Sequence, residues 1–449
     1  MLTVITNIFV SIYQRIVVVG EGIGSLLYLL VWGPYALIQG QAATFFTSPA
    51  TQGRIFAVFR GLWPNLSIKK VLMKAYDNTG TAVITRRTDV LEVLNRNDDF
   101  EVVYGSRMRQ LTEGNNFFLG MQPGWDYTRD TSAMRLAARM TDVDEIVLPR
   151  ATELATRIVK DSGGKLDIVP YLTLEVPWDM TDTYFGCGAT REKMQEWTTN
   201  LFWYLFLDLN ADPQGDANAL GQAAELREYL DSHIADRKAH RTDAPDILNR
   251  CLALQSADTP GMSDLGIRNN ILGLLIGAIP TISKASCLAL DELLRRPSAL
   301  SSARRAAQRG DDADLAQHIW EALRFNPFNP VIYRRATRDT EVASSTLRRV
   351  KLSKGQIVFA GNFSAQFDRF EVPSPNEFRT DRPWETYILW GYGMHRCFGD
   401  AINQAIIPAI LKPLLAQEGL RRAKGPAGQI STGNAGFPAH FTVEFDPKD

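Results

Sequence analysis

Ten consecutive residues constrain this chain more than any others. Trp390-Gly-Tyr-Gly-Met-His-Arg-Cys397-Phe-Gly399 is a glycine-punctuated loop that delivers one cysteine to the start of an apolar helix, AINQAIIPAILKPLLA. Glycine permits turns that a side chain forbids and lets the backbone approach a flat ligand closely. A thiol at a helix start meets unpaired backbone N–H groups and the positive end of the helix dipole, and both favour the thiolate. Taken alone, a cysteine in such a turn reads more readily as a buried structural thiol. The full ten-residue spacing separates the two readings.

The other cysteines, Cys187, Cys251 and Cys287, lie far apart in apolar helical stretches, where a free thiol behaves as a small hydrophobe. There is no CxxC pair and no disulfide density, so a reducing, cytoplasmic compartment is expected. The 449 residues are 45% hydrophobic and can bury a large core. A length above roughly 300 ordinarily suggests two domains. No linker, low-complexity tract, charge block or repeat interrupts residues 50–449, however, so one catalytic domain over 49–449 is the simpler reading. With 49 basic and 50 acidic residues, no global field draws the chain to nucleic acid.

Residues 1–48 stand apart as a hydrophobic N-terminal segment. The stretch 16–38 carries one charge, Glu21, over a length that could cross a bilayer of about 30 Å. Glycines at 20, 22, 24 and 33 and Pro34 weaken a regular helix there. A membrane anchor or interfacial segment is expected, with a helix packed on the domain's own surface as the alternative.

Past residue 50 the pattern predicts a mainly α protein with small β-sheets, an α+β class. Strand-like TAVITR precedes a first helix over 85–97, and helical spacing recurs over 143–161, 190–208, 219–238, 264–296 and 312–325. Strands are expected again at 331–342, 349–360 and 439–445.

The cysteine loop matches F-G-x-G-x-[HR]-x-C-x-G, with Trp390 for the usual Phe, and on these residues the chain resembles the cytochrome P-450 (haem-thiolate) family. The resemblance implies that family's helix-rich fold, with haem b between its helices I and L and Cys397 as the axial ligand to the iron. Trp390 would cover the sulfur side of the haem. Glu321 and Arg324 in EALRFNP resemble the family's K helix pair, and Arg382 in the later FDRFEVPSPNEFRTDRP resembles its third, meander partner. An isolated pair at that spacing would be worth only about 0.3–0.5 kcal/mol. The resemblance implies instead a buried network. It also places Trp125 and Arg129 (WDYTR), Arg334 and His395 at the haem propionates, where charge-assisted donors are needed.

On the distal side the family usually reads [AG]-G-x-[DE]-T, and this chain reads Gly277-Ala278-Ile279-Pro280-Thr281. Gly277, Ala278 and Thr281 remain as candidate catalytic positions, but proline stands where the acid should be. A mid-helix proline removes one N–H, so a kink or local widening is expected. Lys284, one turn on, reads as a snorkelling or paired amine. Asn403 and Gln404 stand where many bacterial members have Ala-Arg, which marks a divergent branch.

The resemblance implies a monooxygenase that inserts one atom of dioxygen into a lipophilic substrate. No flavin or iron–sulfur motif is present, so electrons would come from a separate ferredoxin and its reductase or from a flavoprotein reductase. Pro280 motivates an alternative, a peroxygenase or peroxide isomerase or dehydratase on the same haem. A haem-bearing sensor is a third reading. By the same resemblance the substrate roof is expected from 104–123, Phe202-Trp-Tyr-Leu-Phe206, the long helix over 264–296, 326–332 and the loop near Phe437.

Overall fold

The computed structural model describes residues 2–433 and 436–446, with side chains from residue 11 onward. The chain divides into two compact units. Unit 1 joins the first 103 residues to Arg324–Arg396, and unit 2 joins Tyr104–Leu323 to the segment that begins at Cys397.

Unit 1 is built on a five-stranded sheet in the order Asn65–Ile68, Thr81–Ile84, Ile357–Ala360, Ile332–Ala336, Phe100–Glu101. Thr81–Ile84 runs parallel to Ile357–Ala360, and the other pairings are antiparallel. The helix Arg87–Asn95 lays Val90, Val93 and Leu94 onto this sheet, where they meet Ile84, Phe100 and Val358. Burying each such side chain stabilises the unit by about 1.5–3 kcal/mol.

The N-terminal segment forms one helix, Leu2–Ile38, which the glycines and Pro34 do not break. It packs on the capped helix Pro49–Leu62, whose Ser48 side chain accepts from the Thr51 amide at 3.3 Å. The glycines are where the two backbones touch. A Cβ on Gly61 would stand 2.5 Å from the Val18 carbonyl oxygen, and one on Gly22 would stand 3.2 Å from that of Ala57. The one acid of the N-terminal helix, Glu21, accepts from Arg369 Nε at 3.0 Å and from Asn376 Nδ2 at 3.0 Å. The outward face is a stripe of exposed Ile12, Ile16, Val19, Ile23, Leu27 and Leu30. The segment is therefore docked on unit 1 with an apolar outer face.

Unit 2 is a helical body with a three-stranded antiparallel sheet, Lys165–Asp167, Thr442–Asp446, Glu418–Arg422, and a small hairpin of Ser431–Thr432 with Pro438–His440. Its axis is the 31-residue helix Asp264–Leu294, started by Ser263, whose hydroxyl accepts from the Gly266 amide at 3.1 Å. Around it pack Arg191–Phe206, Pro213–Ala239 and Asp400–Leu415. The helix predicted over 143–161 opens as a π turn, Val143–Val147, before the α-helix Leu148–Asp161. Pro149 has no N–H for the carbonyl four residues back, which favours the wider turn.

Pro280 does not interrupt the long helix or change its type, contrary to the local widening expected from sequence. By helical geometry the carbonyl it deprives is that of Ile276. The next two carbonyls gain an extra donor, because the Thr281 hydroxyl bonds to Gly277 O and, at 3.1 Å, to Ala278 O.

Candidate haem-thiolate site

Unit 1 supplies the loop that leads to the cysteine. Gly391 and Gly393 both adopt left-handed backbone, with φ of 79° and 70°. A Cβ on Gly393 would also stand 2.9 Å from Asn95 Oδ1 and from the Leu94 carbonyl oxygen. Glycine is thus required here by conformation and by space. Trp390 stacks on Trp384 with ring centroids 5.6 Å apart.

Arg334 lies on the strand Ile332–Ala336, buried, and donates to the Tyr333 carbonyl oxygen at 2.9 Å. Burial and the charge of Arg334 push the imidazole of His395 down to about 3. A desolvated guanidinium is therefore brought beside an imidazole that stays neutral at physiological pH. That cradle fits an anionic group such as a haem propionate, with which the guanidinium would pair.

Arg324 and Arg382 meet at one point of the same unit. Arg324 donates from Nη2 to Glu377 O at 3.2 Å and from Nη1 to Gln366 O at 3.1 Å. Arg382 donates to Glu377 O at 2.9 Å, Ser374 O at 2.8 Å and Pro373 O at 2.7 Å. The two arginines hold the 373–377 turn by its carbonyls. Glu321, on the same helix as Arg324, is fully buried and belongs to unit 2.

In unit 2, Cys397 stands just before the helix Asp400–Leu415 and is half-buried, whereas Cys187, Cys251 and Cys287 are fully buried. Burial raises those three thiols, Cys251 and Cys287 to about 12, which suits inert core residues. Phe398 packs on Phe118 at 4.9 Å between centroids, and the guanidinium of Arg135 lies 3.7 Å from the centre of the Phe398 ring. Sequence reasoning missed Arg135. Its only signal was a basic residue in the last turn of the Trp125–Ala137 helix.

That helix also carries Trp125, 70% exposed, and Arg129. Arg129 is held by Asp130 Oδ1 at 2.7 Å and Asp126 Oδ1 at 2.9 Å, and the Asp130 bond above all keeps its guanidinium protonated. To reach a propionate, Arg129 must give up part of that pairing.

Gly277 and Thr281 lie one turn apart on the long helix, and a Cβ on Gly277 would meet nothing within 4 Å. The helix therefore presents open space beside a threonine hydroxyl, with Ala278 buried next to it. One turn earlier, Phe117 lies so close to Gly273 that a Cβ there would come within 2.5 Å of its ring. Farther along, Phe202 packs on Phe206 at 4.5 Å and on Phe437 at 5.6 Å, and the Lys284 amine sits 5.3 Å from the Phe437 ring. These contacts bring the expected roof residues of unit 2 together. Unit 2 thus has small residues and aromatic rings along one helix and a half-buried cysteine just before another.

Known proteins agree. The cytochrome P450 family model matches residues 68–417. Linoleate diol synthase of Gaeumannomyces graminis is 39% identical over 113 residues, which cover 24% of this chain and 10% of that protein. Cytochrome P450-SOY of Streptomyces griseus is 28% identical over 207 residues, 46% of this chain and 47% of that one. The chain thus matches half or less of these relatives' lengths. Among solved structures, P450BioI in complex with hexadec-9Z-enoic acid ligated acyl carrier protein superposes with a TM-score of 0.74 at 17% identity, covering 88% of this chain and 99% of that one. The open cytochrome P450 Eryk from S. erythraea gives 0.72 at 19% identity, covering 90% and 97%. The family match over most of the chain, the shared fold and a half-buried cysteine in the signature loop lead to one conclusion: the chain belongs to the cytochrome P450 family and is a haem-thiolate oxidoreductase.

Proposed function

We propose that the chain oxygenates a lipophilic acyl substrate at a haem b held by Cys397, and that the oxygen comes from a hydroperoxide rather than from reduced dioxygen. Pro280 carries this reading. It occupies the position where dioxygen-activating relatives keep a carboxylic acid to deliver protons, and it cannot bear one. A hydroperoxide arrives with its own proton, and the overall change, ROOH + R′H giving ROH + R′OH, needs no external electrons. When both groups lie on one acyl chain, the same chemistry is an isomerisation to a diol.

Bound here, haem supplies an iron atom with a thiolate ligand, at which an O–O bond can be split. The residues of the chain have separate tasks. With haem bound, Arg334 and His395 would hold the propionates and Trp390 would shield the cysteine, while Phe117, Phe202, Phe206 and Phe437 would line the substrate and exclude water. Gly277 leaves room on the distal face. Thr281 Oγ, whose proton is shared between Gly277 O and Ala278 O, keeps lone pairs to accept from the hydroperoxide. Support for an acyl substrate comes from the names of relatives: two linoleate diol synthases, 39% and 40% identical over short stretches, and a structural neighbour bearing a hexadecenoyl chain.

The persistence of Thr281 beside Gly277 favours a second reading, a dioxygen-dependent monooxygenase served by a separate ferredoxin and reductase or by a flavoprotein. The two differ in one experiment. The hydroperoxide reading expects product from a fatty acid hydroperoxide, or from a fatty acid with hydrogen peroxide, in the absence of any reductant. Thr281→Ala should then cost far less than the roughly 10²–10⁴-fold of a lost acid–base group. Coupled turnover under oxygen with a ferredoxin and reductase, and none from peroxide, would establish the monooxygenase instead. The compartment we propose is cytoplasmic.

A further inference from the structure

Unit 1 contains a cavity of about 520 Å³ beneath the N-terminal helix, and none of its lining residues belongs to the cysteine loop. Its walls include Glu21, Gly24 and Ser25 of that helix, Arg54 and Arg60 of the helix Pro49–Leu62, and Phe363 and Phe367. Arg60 is 5% exposed, and both of its hydrogen bonds leave from Nη1, to Ser364 Oγ at 3.0 Å and to Ser364 O at 3.4 Å. Its Nε is buried without a partner. Desolvation pulls this guanidinium down to about 10, although Asp368 and Glu21 lie near enough to oppose the effect.

Neither acid is available to neutralise it. Asp368 accepts from Arg86 Nε at 2.9 Å and from the Arg87 amide at 3.0 Å, and Glu21 is held by Arg369 and Asn376. At the rim, the exposed Arg54 stacks its guanidinium 3.9 Å from the centre of the Tyr28 ring. Among the described residues no carboxylate pairs with Arg54 or Arg60. Counting Glu21 against Arg54 and Arg60, the cavity walls keep a net positive charge, and the desolvated Arg60 has no carboxylate in contact, a costly arrangement unless an anion is bound.

Gly24 identifies the rest of the ligand. It is exposed and lines the cavity, and its neighbours Ile23 and Leu27 belong to the exposed apolar stripe of the same helix. An oxyanion seated on Arg60 and Arg54 has apolar surface waiting at the rim. We propose that this cavity binds the anionic headgroup of a lipid, whose acyl chains continue along the outer face of the N-terminal helix. The site is separate from the haem chemistry and would seat the protein on an anionic membrane surface.

The test titrates the haem-loaded full chain with dihexanoyl phosphatidylglycerol, dihexanoyl phosphatidylcholine and inorganic phosphate, the lipids below their micelle concentrations, by calorimetry. Phosphatidylglycerol should bind at least tenfold more tightly than either other probe. Arg54→Ala and Arg60→Gln should each weaken it tenfold or more. Arg60 is deep enough that its variant can fail to fold, so a third variant fills the cavity. Gly24→Leu places a side chain where a Cβ meets nothing within 4 Å and improves helix propensity. It should abolish lipid binding with unchanged melting and haem content. Equal binding of the two lipids, phosphate binding as tightly as phosphatidylglycerol, or wild-type affinity in Gly24→Leu and Arg54→Ala would each overturn the proposal.

Discussion

Replacing Arg382 by methionine isolates what holds the turn ahead of the cysteine loop. The arginine is 6% exposed and donates to the carbonyls of Pro373, Ser374 and Glu377. Methionine keeps the length and the apolar stem but removes every donor. Glu377 O retains Arg324 Nη2 at 3.2 Å and Ser374 O retains the Glu377 amide at 3.1 Å, so of the three carbonyls that of Pro373 is left without its donor. An acceptor left unsatisfied costs about 1–3 kcal/mol, which is the loss expected for this one carbonyl. Water entering the turn would bring the loss toward the lower figure. The assay is equilibrium urea unfolding followed by far-ultraviolet circular dichroism on the haem-free chain, with haem retention measured in parallel. Arg382→Lys should recover only part of the loss, because a single ammonium cannot reproduce the guanidinium fork. A loss below about 0.5 kcal/mol, the scale of an exposed ion pair, would refute the reasoning and place Arg382 among solvated surface charges.

Three further outcomes follow from the same geometry. Reduction of the haem-loaded protein under carbon monoxide should give the red-shifted Soret band of thiolate ligation, and Cys397→His should bind haem without it; a histidine-type spectrum in the wild type would contradict the axial ligand. Burial holds Lys284 down to about 8 against 10.5 unfolded, so between those values the unfolded chain binds more protons and this residue's contribution makes stability rise with pH. Lys284→Met should remove that rise, and identical slopes between pH 8 and 10 in the two proteins would show that the amine is not desolvated. Gly61→Ala forces a methyl to within 2.5 Å of the Val18 carbonyl, so the Leu2–Ile38 helix should lift from unit 1 and become sensitive to limited proteolysis, and unchanged resistance would contradict the close backbone contact.

Much of the site was legible because its chemistry is local. The spacing from Trp390 to Gly399 needs only the turn preferences of glycine and the field at a helix start, and both act over a few residues. Helical periodicity was equally readable: 312–325 and 264–296 were expected and Asp312–Phe325 and Asp264–Leu294 form. What one stretch of sequence could not reveal was who stands opposite. Gly22 read as a weak point of a helix because propensity counts only the helix itself, whereas in the fold it is the surface on which another backbone rests. Pro280 read as a kink or local widening, yet the helix keeps its α type there, its Thr281 hydroxyl bonded to the carbonyls of Gly277 and Ala278. Arg60 carried no signal at all. A desolvated cation with no acid to spare arises only when residues 21, 60, 364 and 368 meet, and burial and Coulomb energy depend on distances that the order of residues does not contain.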